Sequence, residues 1–226
     1  MFSAEDSVEI LQQFPPVVYA FAYGSGVVTQ GGYDYSKPSS QLPMLDLVFV
    51  VEDSEAWHQN NMEMNPHHYT PLIPQTAASI AYIQDRIGAG MWYNVGIPMN
   101  ISKFPDRPMK YGVISKATLI DDLTKWSCLY AAGRLHKPVC VLKSCPVIEG
   151  ILEQNRASAI RASLLLLPSS FKETELFMSV ASLSYIGDPR MIAGENPKKV
   201  WSHAVSMHAE FLLILIARIP FLSFRL

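Results

Sequence analysis

Gly24-Ser25-Gly26 closes one apolar run, and a second, LDLVFVV from Leu45 to Val51, opens on a single acid, Asp46. A turn of small residues lets backbone N–H groups crowd round a phosphate with no side chain in the way. Ser25 adds a hydroxyl donor. A carboxylate on a neighbouring strand can hold Mg²⁺ against the same phosphate. The three residues would serve equally as a tight turn between strand and loop. Asp46 narrows the choice, because an isolated buried charge is very costly. It either lies at the exposed end of its strand or holds a cation. Read together, Gly24, Ser25 and Gly26 are the phosphate-binding candidates, Asp46 is the metal acid, and the chain is a candidate for phosphoryl chemistry on a nucleotide.

Nucleotidyltransferases of the polymerase β type carry a second acid two residues after the first, on the same face of the strand. Here that position is Val48. Glu52 has the right parity but lies six residues on, roughly 20 Å along a strand. Asp34 and Asp188 are the remaining candidates for a second ligand. Lys110 begins the run KYGVIS, where an ammonium would neutralise charge on a leaving pyrophosphate or simply be solvated. Arg134, His136 and Lys137 follow the end of a helix, positioned for a phosphate or for the helix dipole. The stretch YIGDPRMIAGENPKKV from Tyr185 holds Asp188 and Arg190 among glycines and lysines. Arg190 is suited to a bidentate phosphate contact. The His67-His68 pair, Met62, Met64 and the four tryptophans read as loop or packing residues.

The elements that must position these groups follow from periodicity and breakers. Residues 5–14 suggest a helix stopped by Pro15-Pro16. Residues 17–23 and 45–51 read as buried strands, joined by a long Gly-, Ser- and Pro-rich loop. Helices are expected over 55–64 and 76–87, the latter ended by Gly88. Residues 91–97 and 109–115 form a hairpin around a Pro-containing turn. One long helix is expected from Lys116 to Ala132, closed by Gly133, then a strand at 138–142. From residue 146 only helices follow, at 148–167, 173–185 and from about Pro197. The fold class is therefore α+β, with a sheet domain over 1–145, a helical domain over 146–210 and an apolar tail over 211–226.

Composition limits the alternatives. The chain has 226 residues, 49% of them hydrophobic, and a formal net charge of -2. No basic stripe accompanies that charge, so nucleic acid is not an expected partner. Three cysteines without a C-x-x-C pair suit a reducing compartment and no disulfide framework. Glu5, Asp6 and Glu9 stand where a signal peptide needs a basic segment, and no Arg precedes Arg86 as a mitochondrial leader would require. The tail is too short to span a bilayer and is interrupted by Arg218 and Pro220. It reads as a buried helix end or an interfacial segment.

The blocks YGSGVV, LDLVFVVED, GAGMWYN, KYGVIS, LYAAGRLHKPV and GDPRM with GENPKKV occur in this order over about residues 8–202. Together they closely resemble the mitochondrial CDP-diacylglycerol synthases, also described as phosphatidate cytidylyltransferases and as translocator assembly and maintenance proteins. The resemblance implies a polymerase β-like nucleotidyltransferase domain followed by a small, helical, winged-helix-like domain. It implies a Mg²⁺-dependent enzyme with CTP and phosphatidic acid as substrates and CDP-diacylglycerol and pyrophosphate as products. Its setting would be peripheral, on the matrix face of the mitochondrial inner membrane, upstream of cardiolipin and phosphatidylglycerol. Carried onto this chain, the phosphate turn is Gly24-Ser25-Gly26 and the metal acid is Asp46. Lys110 and Asp188 are further catalytic candidates, and Arg134 and Arg190 further phosphate ligands. Because the likeness fades after about Ser202 and Val48 replaces an acid, a catalytically impaired nucleotide-binding or scaffold form is the alternative.

Overall fold

LDLVFVV becomes the middle strand of a five-stranded mixed sheet. The strands are β1 (Tyr19–Tyr23), β2 (Leu45–Val51), β3 (Met91–Met99), β4 (Arg107–Ser115) and β5 (Cys140–Lys143), in the order β3-β4-β2-β1-β5. β2 is parallel to β4; the β1–β2, β1–β5 and β3–β4 pairs are antiparallel. The helices are α1 (Ala4–Leu11), α2 (Ser54–Met64), α3 (Ala77–Arg86), α4 (Lys116–Lys125), α5 (Tyr130–Arg134), α6 (Pro146–Leu166) and α7 (Glu173–Ser182). The computed structural model describes residues 3–27, 34–70 and 75–185. Trp201, the helix expected from Pro197 and the apolar tail lie outside them. The described residues form two compact units, 3–121 with 139–148, and 122–138 with 149–185.

The first unit holds the whole sheet. Strand side chains alternate between faces, and in β2 Leu45, Leu47, Phe49 and Val51 point to one core. Ala20, Ala22, Met109, Tyr111 and Val113 join them from neighbouring strands, and Ile10, Phe14 and Trp57 cover the layer. The expected hairpin forms, two residues longer on each arm, because β3 and β4 pair from Met91 with Ile114 to Met99 with Arg107. Ser3 and Asp6 make a capping box on α1, and Asp53 caps α2.

A buried polar network stiffens this core. The Tyr111 hydroxyl accepts from Asn61 Nδ2 at 2.9 Å and Asn94 Nδ2 at 2.8 Å. Its proton is therefore directed to His68 Nδ1, 2.9 Å away. His58 links Tyr69 to Gln84, each at 2.9 Å, and Gln84 continues to Ser54. Burial pushes the Tyr69 hydroxyl up to about 12, raises Tyr111 further and lowers both histidines, His68 to about 4. The network is thus held neutral.

In the second unit the single helix expected over 116–132 is broken in two. Trp126 (φ 55°) and Leu129 (φ 58°) take the left-handed conformation between α4 and α5. Asp122, buried at the end of α4, explains why the break is stable. Its Oδ1 accepts from the N–H groups of Cys128 and Leu129, and its Oδ2 from those of Ala131 and Ala132. One carboxylate thus satisfies donors that helix starts otherwise leave orphaned. Gly133 does not end the helix either: it lies inside α5, where an added Cβ would sit 2.3 Å from Ser184 Cβ. Glycine is there for close approach. A core cluster of this unit packs Ala159 and Ile160 of α6 with Leu176, Phe177, Val180 and Ala181 of α7.

Candidate functional site

The site is built where β1 ends and β2 and β4 begin. Asp46 lies in register between Tyr23 of β1 and Lys110 of β4. Alternation sends these side chains to the face opposite the core. There Lys110 Nζ lies 2.7 Å from Asp46 Oδ1, with the two side chains 25% and 22% exposed. The pair is reachable from solvent without being fully screened by it. Lys110 Nζ also lies 5.3 Å from the centre of the Tyr93 ring. Gly112, paired with Tyr93 across the ladder, gives that ring room, because a Cβ there would meet Tyr93 Cε1 at 2.8 Å.

Tyr23 runs directly into one turn of 3₁₀ helix, Gly24–Gly26. Gly24 has φ +74°, and a Cβ built on it would lie 3.5 Å from Asp46 Oδ2. The carboxylate therefore faces the bend. Gly26 packs its Cα against the entry to β2, where a Cβ would fall 2.8 Å from the Met44 carbonyl. Only glycine fits that approach. Val27 N–H closes the bend on the Gly24 carbonyl at 3.1 Å, and Tyr35 Oη donates to the Ser25 carbonyl at 3.0 Å. Arg107 Nη2 donates to the carbonyls of Gly26 and Pro43, each at 2.8 Å, and Arg107 Nε to Pro43 at 3.0 Å. Arg107 is 3% exposed, and burial lowers its pKa.

The fold thus brings Gly24, Ser25, Gly26, Asp46 and Lys110 together. Of the two candidates for a second ligand, Asp188 lies outside the described residues and Asp34 is engaged locally. Val48, on the same face as Asp46, is fully buried. Glu52, at the far end of β2, pairs with Lys116 Nζ at 3.1 Å. The exposed Asp34 accepts from the Ser36 hydroxyl and N–H, which hold its carboxyl low. Among the described residues no three His, Cys, Asp or Glu side chains gather as a metal cluster. Arg134 belongs to the second unit, where it donates to the Tyr130 carbonyl and its guanidinium lies 3.7 Å from the Tyr130 ring centre. Asp188 and Arg190 lie outside the described residues.

Arg107, Tyr35 and Tyr93 escaped the sequence reading. Arg107 falls between the strands expected over 91–97 and 109–115, and the structure places it at the start of β4. Nothing in the sequence joins Tyr35 to Ser25, since the segment between has no periodicity.

A carboxylate, an ammonium and a glycine bend at one sheet end suit a polyphosphate. Residues 7–213 match the family model described as "Phosphatidate cytidylyltransferase, mitochondrial", a span reaching past Ser202. The protein so named in Xenopus laevis is 43% identical over 194 residues, covering 84% of this chain and 55% of its own length. The Homo sapiens protein is 43% identical over 195 residues, with 85% and 41% covered. That of Dictyostelium discoideum is 40% identical over 209 residues, with 84% and 47% covered. The chain spans about half the length of these curated relatives. Identity at this level, sustained across both units, shows that the chain belongs to the mitochondrial phosphatidate cytidylyltransferase family.

Proposed function

We propose that this chain carries the cytidylyl-transfer site of its family, transferring CMP from CTP to phosphatidate to give CDP-diacylglycerol and pyrophosphate. The observation that carries the reading is the Asp46–Lys110 pair facing the Gly24–Gly26 bend. A phosphatidate phosphate oxygen forms a bond to the α-phosphorus of CTP. The bond from that phosphorus to the bridging oxygen breaks, and its electron pair leaves with pyrophosphate. The acceptor is already an anionic nucleophile, so no protein nucleophile is required. The protein's part is positioning and charge neutralisation. N–H groups of the bend would hold the phosphates, and Lys110 would balance charge on the departing group.

Asp46 suits a Mg²⁺ ion bound in the manner usual for nucleotides, by one or two carboxylates together with substrate phosphates and water. When bound, such an ion screens phosphate charge and polarises the phosphoryl oxygens. Lys110 would release Asp46 to it and turn to the phosphates.

The sheet domain over 1–145 is, in this reading, of the polymerase β-like nucleotidyltransferase kind, and 146–210 is winged-helix-like. Arg134 and Arg190 are proposed as further phosphate ligands, and Asp188 as a further catalytic acid. The relatives are named mitochondrial, and no helix among the described residues is long and apolar enough to cross a membrane. A peripheral position on the matrix face of the inner membrane, supplying cardiolipin and phosphatidylglycerol synthesis, fits both.

The buried Val48 supports a second reading, nucleotide binding without turnover. The test is labelled CTP with phosphatidate vesicles and Mg²⁺, followed by lipid extraction. Labelled CDP-diacylglycerol supports transfer. CTP binding by calorimetry with no labelled lipid selects the second reading.

A further inference from the structure

We infer that Arg107 and Tyr35 are positioning residues that turn the Gly24–Gly26 bend into an anion receptor by holding its carbonyls away from the ligand. This rests on the reading of the bend as the phosphate site.

A short bend has as many carbonyls as N–H groups, and carbonyl oxygens repel a phosphate. Here each of the three is engaged. Gly24 O accepts from Val27 N–H, Ser25 O from Tyr35 Oη and Gly26 O from Arg107 Nη2. In a trans peptide the C=O and the following N–H point to opposite sides. Tyr35 therefore fixes the direction of Gly26 N–H, and Arg107 that of Val27 N–H. The second effect closes the turn, because Val27 N–H is the group that engages the Gly24 carbonyl.

Arg107 is built for this task. Its fork spans two carbonyls with three hydrogen bonds, joining Gly26 to Pro43 just before β2. The bend is thereby fixed to the strand that carries Asp46. A lysine would keep the charge but could not reproduce the fork. Tyr35 comes from a different segment and is 36% exposed, so its hydroxyl can be removed without disturbing the core.

The experiment measures equilibrium binding of inorganic tripolyphosphate to the full chain as wild type, Arg107→Lys and Tyr35→Phe, with CTP in parallel. Tripolyphosphate has no base or sugar, so it reports the phosphate site free of nucleoside contacts. Arg107→Lys is expected to weaken both ligands about tenfold or more, and Tyr35→Phe about threefold, as befits charged and neutral hydrogen bonds. The double variant should lose less than the product of the two, because both act on one bend. In the lipid assay the loss should appear chiefly in KM for CTP, whereas a general loss of structure would reduce the active fraction and hence apparent kcat. Unchanged tripolyphosphate binding in either folded variant overturns the inference. If Arg107→Lys does not fold, Tyr35→Phe decides it alone. Wild-type binding with the expected variant losses but no lipid product would sink transfer to phosphatidate and leave the positioning roles standing.

Discussion

At the level of single residues, the Asp46–Lys110 pair separates function from stability. Both side chains are about a quarter exposed, so their mutual attraction is partly screened and contributes at most about 1 kcal/mol to folding. The same charges, set against a phosphate at a site they help to dehydrate, are worth far more. Asp46→Asn and Lys110→Met are therefore expected to lower CDP-diacylglycerol formation by about 100-fold or more. Their unfolding midpoints in urea should stay close to wild type. A variant that keeps near-normal turnover would remove that residue from the chemistry. Asp46 could be found from sequence because an acid in an apolar run must be explained. Lys110 was visible only as a polar strand start; what makes it significant is the parallel register of β2 and β4, which aligns it with Asp46. Register between strands 64 residues apart in sequence is set by the whole sheet, so no local pattern reveals it.

The elements repeat this division between local and distant causes. Strand positions and the β3–β4 hairpin follow from alternation and turn formers, both local signals, and were legible. The break between α4 and α5 was not. Residues 116–132 have a helical pattern, and neither Trp126 nor Leu129 is a usual left-handed residue. The break is stabilised by Asp122, whose carboxylate replaces the helical hydrogen bonds with four others. Asp122→Ala should therefore cost about 3 kcal/mol, more than an ordinary cap, because several buried N–H groups lose their acceptor together. Asp122→Asn should recover only part of this, since one of its two polar atoms is a donor. Urea unfolding followed by far-UV circular dichroism reads both values, and a cost below about 1 kcal/mol for the alanine variant would mean that the break has another support. Gly133 illustrates the same limit: a glycine near a helix end reads as a stop, yet here it admits Ser184.

Across the whole molecule, a net charge of -2 leaves little self-repulsion near neutral pH, so pH dependence falls to the buried groups. Both units hold histidines neutral, His58 and His68 in the sheet unit and His136 in the helical one. His136 is fully buried, with Nε2 3.0 Å from Asn155 Oδ1 and Nδ1 without a hydrogen-bond partner among the described residues. Burial lowers its pKa from 6.5 to about 4. Between those values the unfolded chain binds more protons, so stability rises with pH. The contribution is fully present above pH 6.5 and is lost as pH falls to about 4, an effect of about 3 kcal/mol. Lys137 acts in a higher window. Burial, with Arg134 nearby, lowers its pKa from 10.5 to about 7, while its Nζ donates to Ser184 Oγ at 2.8 Å. There too the unfolded chain binds the extra proton, so stability climbs again from pH 7 towards 10.5. Unfolding free energies in urea, taken from pH 4 to 9, should rise in both windows. His136→Gln keeps a donor for Asn155 but cannot titrate, and should flatten the lower window by about one proton's slope. Lys137→Met should flatten the upper window alone and leave the acid limb unchanged. If His136→Gln left the acid limb as steep as wild type, the acid sensitivity would have to come from the sheet unit, where His58 and His68 are the groups to replace next.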